Sequence, residues 1–181
     1  MPKLIEPTTR LHHAWLDARD EWGRGVHQDG SGLRPTDDVD SADGFAAWVA
    51  RLLAEADVTR PAEPGWVHCT YRWMVEGDRV LGTISLRHEL NALLFEVGGH
   101  IGYGVRPAER GRGLAGWALA EMLVAARALG LDRVLITCDD TNAASARTIE
   151  RAGGVREDIR EHDGRRYRRY WVSTCSPAGV S

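Results

Sequence analysis

Val105-Arg106-Pro107-Ala108-Glu109-Arg110-Gly111-Arg112-Gly113-Leu114-Ala115 is the stretch on which the fold of this chain turns. Before it, Gly98 to Val105 alternates as a strand, with glycines at 98, 99, 102 and 104. After it, Gly111 to Leu129 reads as a long helix, with Gly130 as its left-handed stop. Beyond Gly113 the only polar residues of that helix are Glu121 and Arg127, which predicts burial on most sides. The first turn of a helix leaves backbone N–H groups unpaired at the positive end of its dipole. Glycines at that point let a bulky anion reach the backbone, so the turn is expected to hold a phosphate or pyrophosphate, with Arg110 and Arg112 adding charge. The plainer alternative is a glycine-rich connection with solvated arginines.

Working outward, residues 8 to 23 place Leu11, Trp15, Leu16 and Trp22 at helical spacing, and Gly44 to Ala56 places Phe45, Trp48, Val49 and Leu52 on one face. Val26 to Asp43 reads as a loop. Val67 to Val75 and Val80 to Leu86 alternate as two strands around the turn Glu76-Gly77-Asp78. Residues 88 to 96 read as a short helical insertion. Arg133 to Cys138 is a buried strand, Asn142 to Ala152 a helix stopped by Gly153-Gly154, and Val155 to Glu161 with Tyr167 to Thr174 a closing hairpin. The order α-α-β-β-β-α-β-α-β-β predicts an α/β fold of the α+β kind around a mixed sheet, as one domain over residues 1–181.

The 181 residues carry a net charge of −3, with 43% hydrophobic and 27% charged residues. That balance gives no general reason to expect nucleic acid or a membrane as partner. No apolar window reaches the length of a membrane span, and the first residues lack the apolar centre of a signal peptide, so a cytoplasmic protein is expected. The three cysteines are too few and scattered for a disulfide framework or zinc site, and no metal is expected. Cys138, without an evident activating partner, reads as packing. Arg165-Arg166-Tyr167-Arg168-Arg169 reads as a charged hairpin end, and the seven tryptophans as mostly core. Trp48, Trp66, Trp73 and Trp171 sit in segments where some could line an aromatic pocket.

Gly111-Arg112-Gly113-Leu114-Ala115-Gly116 literally matches the dinucleotide fingerprint G-x-G-x-x-G. Two features speak against that reading: five residues separate Val105 from Gly111, and two arginines flank the glycines. Arg110-x-x-Gly113-x-Ala115 instead resembles the (Gln/Arg)-x-x-Gly-x-(Gly/Ala) motif of the GNAT acetyltransferase superfamily. Asn142-x-x-Ser145, followed by Glu150 and Gly153, resembles its second cofactor motif. The wider run RHELN (87–91), GGHIGYGVRPAERGRG (98–113) and LITCDDTNAASARTIERAGGV (135–155) is similar to a functionally unassigned subgroup of that superfamily. The resemblance is specific from about Arg87 to Val172 and loose before Gly65.

The resemblance implies a mixed, mostly antiparallel sheet of six or seven strands, with helices on both faces. It implies a splay between the fourth strand, Gly98–Val105, and the fifth, Arg133–Cys138, with acetyl-CoA in the gap. The backbone of Arg110, Gly111, Arg112, Gly113, Leu114 and Ala115 would cradle the pyrophosphate. The backbone at Val105 would pair with the pantetheine and polarise the thioester, and Asn142 and Ser145 would line the far side. Helix capping is the alternative for those last two. The implied activity is direct transfer of an acetyl group from acetyl-CoA to a primary amine of a small molecule or peptide, in a ternary complex, with homodimerisation common in the superfamily. The tyrosine that many members use as general acid falls here on Ile149, which keeps open a non-catalytic acyl-CoA-binding module. A base with a pKa near working pH is sought among Glu89, His88 and His100, with Glu96 also near the strand, and Tyr103 is a candidate proton donor. Alternation puts His100 on the face opposite Gly99, Ile101 and Tyr103, which suits a structural histidine equally well.

Overall fold

The computed structural model describes residues 1–175. Seven strands form two antiparallel sheets. The first has the order β1 (Lys3–Ile5), β2 (Cys69–Glu76), β3 (Arg79–Arg87), β4 (Ile101–Val105). The second has the order β5 (Arg133–Asp139), β7 (Arg165–Ser173), β6 (Val155–His162). The expected mixed sheet is therefore realised as two units whose every ladder is antiparallel. Helices α1 (His12–Trp22), α2 (Ala42–Ala54), α3 (Ala92–Glu96), α4 (Leu114–Ala128) and α5 (Ala143–Arg151) complete the fold. No described helix is long and apolar enough to cross a membrane.

Period-two alternation divides the apolar side chains between two cores. Cys69, Tyr71, Trp73 and Val75 of β2 face α1 and α2, where Trp15, Phe45 and Trp48 close an aromatic cluster. Ring centroids there lie 4.6 Å (Trp15–Trp48) to 6.1 Å (Phe45–Trp73) apart, and each such pair contributes about 1 kcal/mol beyond its buried area. Met74, Ile84, Leu86 and Ile101 point the other way, onto Leu114, Ala118, Leu119, Met122 and Ala126 of α4. Those five make one stripe; Val124 on the opposite face is 70% exposed. Helix α4 is thus half-solvated, against the expectation of burial on most sides: alanine is apolar but small enough to tolerate water.

Two further differences have local causes. Strand β1 went unread because three residues between Pro2 and Pro7 carry no period; it exists by pairing Lys3–Ile5 with Trp73–Val75. Strand β4 starts at Ile101, later than Gly98, because Gly98 and Gly99 turn left-handed at φ 107° and 64°. That kink carries the chain to β5: Gly99 bridges Ile136, and the His100 N–H donates to the Leu135 C=O at 2.7 Å. Past this bridge β4 and β5 share no ladder, and the unpaired seam between them is the gap between the sheets.

Candidate functional site

The gap is walled on one side by β4. Arg87 N–H reaches His100 C=O, and Arg106 N–H reaches Leu81 C=O, so residues 100 to 106 use alternate positions to pair with β3. By the antiparallel pattern, the main-chain groups of Ile101, Tyr103 and Val105 face away from β3, into the gap. Val105 C=O is taken by Arg110 Nε at 3.1 Å, which leaves its N–H as the free group.

At the mouth of the gap stands the start of α4. Gly113, its N-cap, is left-handed at φ 76° and supplies no capping side chain. Among the described residues, no acceptor meets the amides of residues 111–116. A Cβ built at Gly111, Gly113 or Gly116 would meet nothing within 4 Å, so no protein atom crowds the turn on those sides. An uncapped helix start of this kind fits a phosphate group. Leu114 and Ala115 offer only backbone, since the Leu114 side chain is core.

The two arginines divide their roles. Arg112 is held by Glu109 and, at 3.2 Å, by Glu76, so its charge is largely balanced by carboxylates. Glu109 is buried and also meets Arg79; its hydrogen bond from Arg112 holds its pKa below the ordinary value. Arg112 therefore buttresses the turn, and Arg110 is the cation of the pair without a carboxylate partner among the described residues. Glu21 of α1 clamps the same connection through Arg106 and the Ala108 N–H.

On the far wall, Asn142 caps α5: its Oδ1 accepts the Ser145 N–H at 3.1 Å. The capping alternative is realised for that oxygen, and the exposed amide nitrogen makes no hydrogen bond among the described residues. Ser145 Oγ lies 2.8 Å from the Tyr103 hydroxyl, a bond that links β4 to α5 across the gap. Burial pushes the Tyr103 hydroxyl up to about 12, with Ser145 acting in the opposite direction. Ile149 is fully buried core, as is most of the Cys138 side chain, whose thiol burial pushes up to about 11.

The three proposed bases separate in space. His100 is buried, and its Nδ1 accepts the Leu135 N–H at 2.9 Å. Its lone pair is spent on structure, and burial lowers its pKa to about 4. The unfolded chain then binds a proton below pH 6.5 that the folded chain refuses until about pH 4, so stability is lost as pH falls through that window, by up to about 3 kcal/mol. Melting of wild type and His100→Gln from pH 7 to 4 checks this: the variant should show the shallower acid-side slope, and equal slopes would remove His100 as a cause. His88 leans toward β2, with Nε2 on Thr70 Oγ1 at 2.8 Å and its ring stacked 6.1 Å from His68. Glu89 is exposed and makes no hydrogen bond or ion pair among the described residues. Glu96 pairs with Arg160.

One contributor went unread. In the loop between α1 and α2, Asp29 and Gly30 lie directly on the glycine-lined face of β4. A Cβ on Gly30 would come within 2.4 Å of Gly102 C=O, and one on Gly104 within 3.1 Å of Asp29 C=O. Thr83 Oγ1 donates to Asp29 C=O at 3.3 Å. The glycine run at 98–104, set against Gly30 and Gly32, was the available signal: a strand without side chains on one face invites another backbone onto it. Of the remaining features, Arg165 and Arg166 stand exposed at the β6–β7 hairpin end, whereas Arg169 is fully buried against Asp158 and Glu157. Trp48 and Trp73 are core, whereas Trp66 and Trp171 lie under Arg34 and Arg133, at 3.9 and 4.1 Å.

Comparison with known proteins meets the same architecture. The family described as Acetyltransferase (GNAT) domain matches residues 10–155. No curated protein sequence matches the chain. Among solved structures, Mycobacterium smegmatis RimJ in complex with CoA-disulfide superposes with a TM-score of 0.71 at 20% identity, covering 95% of this chain and 81% of that one. The microcin C7 self-immunity acetyltransferase MccE, in complex with acetyl-CoA and AMP, gives 0.65 at 14% identity over 95% and 92%. An N-acetyltransferase from Staphylococcus aureus gives 0.64 at 14% over 97% and 99%. At these identities the likeness is one of fold.

Proposed function

This chain belongs to the GNAT acetyltransferase family, and from that premise we propose that it transfers the acetyl group of acetyl-CoA to a primary amine of a small molecule or peptide. The observation that carries the reading is the uncapped start of α4, with its row of acceptor-free amides, at the end of the strand that borders the gap. The amides of residues 111–115, with Arg110, bind the pyrophosphate. The pantetheine lies between β4 and α5, meeting the main chain of Tyr103 and Val105 on one side and Ser145 with Asn142 on the other. A backbone N–H aimed at the thioester carbonyl stabilises negative charge as the amine attacks.

Purified protein incubated with acetyl-CoA and a panel of amines, with free thiol followed over time, tests this. Thiol release that depends on one class of amine is the expected result, together with a rise in melting temperature on adding CoA. Absence of any CoA-dependent stabilisation would overturn the reading. A second reading, a non-catalytic acyl-CoA-binding module, is motivated by Ile149, which fills the usual tyrosine position and is buried. Tight CoA binding without turnover of any amine favours it.

A further inference from the structure

We propose that His27, oriented by Asp29, is the general base that takes the proton from the attacking amine. This rests on the acetyl-transfer reading above. It names a residue on a loop that neither the motifs nor the strand alternation singled out.

The placement comes from the loop's anchors. Asp29 and Gly30 sit on the backbone of Gly102 to Gly104, at a spacing that admits no Cβ at Gly30. Their carbonyls and turns are tied down: Thr83 Oγ1 to Asp29 C=O, Ser31 N–H and Oγ to Gln28 C=O, and Arg51 to Gly32 C=O at 2.9 Å. The ring of Trp22, at the end of α1, packs against Gly104 from the same side. A loop fixed in this way holds its side chains at a set height over β4. It covers the face opposite α4, so a thioester beside Tyr103 has the phosphate-binding turn toward one face and this loop toward the other.

The chemistry of the pair suits the task. His27 Nε2 lies 3.0 Å from Asp29 Oδ1, so the ring donates Nε2–H to the carboxylate and keeps the Nδ1 lone pair available. The side chain is 80% exposed, open to an incoming amine. The charged groups acting on it are Asp29, which raises its pKa above the ordinary 6.5, and Arg87 on β3, which opposes this. An imidazole whose basicity is raised by a carboxylate partner accepts a proton from an ammonium and returns it to solvent. Neither other candidate imidazole offers this: His100 has spent Nδ1 on Leu135, and His88 leans onto β2.

The step balances. The acceptor ammonium gives one proton to His27 Nδ1, and its nitrogen lone pair forms the N–C bond to the thioester carbonyl. The C–S bond breaks with its electron pair on sulfur, and the second nitrogen proton ends on the thiol. Amide, free thiol and one released proton are the products.

The experiment compares wild type with His27→Gln and Asp29→Asn. Calorimetry with CoA should return the wild-type dissociation constant within about threefold for both variants, since neither residue belongs to the phosphate turn. With an accepted amine, kcat/KM for His27→Gln should fall about 100-fold, and the acid limb of its pH profile should vanish. Asp29→Asn should keep that limb but move it to lower pH. If no amine in the panel is turned over, histidine ring resonances decide: acetyl-CoA and CoA should displace the His27 signals differently, while those of His13 on α1 stay in place. An unchanged pH profile in His27→Gln, or His27 signals blind to acetyl-CoA that binds tightly, overturns the proposal. Wild-type protein that binds no CoA overturns the acetyl-transfer reading itself, and this one with it.

Discussion

Gly113→Glu is expected to raise the dissociation constant for acetyl-CoA at least about 100-fold while the protein still folds. A Cβ at this position meets nothing within 4 Å, so the side chain starts into open space. The cost to stability is that of a non-glycine residue at φ 76°, about 1–2 kcal/mol. Binding suffers far more. The new carboxylate stands where the diphosphate would, takes up the same amides as an N-cap, and repels the ligand's charge. A combined loss near 3 kcal/mol corresponds to two orders of magnitude in affinity. Calorimetric titration with CoA checks the binding, and thermal melting checks the fold. Gly113→Ala separates the causes, because it carries the backbone strain without the charge. Unchanged CoA affinity in the glutamate variant would remove the cradle from this turn.

Tyr103→Phe is the second large effect, an expected fall in kcat of about 100-fold with little change in CoA affinity. Magnitudes decide which role the phenol plays. With its pKa pushed up to about 12, it stays protonated throughout any practical assay. A thiol ionises near 8.5, so complete proton transfer from such a phenol to the leaving sulfur is uphill. On the proposed acetyl-transfer reading, the hydroxyl would act by donating a hydrogen bond to the charge that develops, and the final proton would come from the amine. Ser145→Ala provides the contrast. It removes the 2.8 Å partner but leaves the donor, so kcat should change only a few-fold. Equal losses in both variants would mark the bond as a structural tie between β4 and α5 rather than a catalytic donor. Steady-state kinetics alongside CoA titration distinguishes these results.

Residues 105–115 show how much of the site could be read along the chain. A strand end, a glycine turn and a helix start are all local, so the direction of the free amides follows from the order of residues alone. Asn142 illustrates the limit of the same approach. Its spacing to Ser145 announces a helix start equally with a ligand contact, and the structure commits the Oδ1 to capping. Arg112 illustrates another limit, because its partners Glu109 and Glu76 include a residue 36 positions away. A free and a neutralised arginine look identical in sequence.

The strand-to-helix turn at Gly113 and the alternation that sets Tyr103 opposite His100 were legible in the residue order alone. Each depends on contacts within a few residues, where backbone geometry is dictated by residue type. Long-range packing settled that β1 exists, that the sheet parts past Gly99, that His100 gives its lone pair to Leu135, and that Asp29 and Gly30 lie over the glycine-lined face of β4. Those outcomes depend on pairs tens of residues apart, whose approach is set by the packing of two cores against one another and leaves no period in either segment.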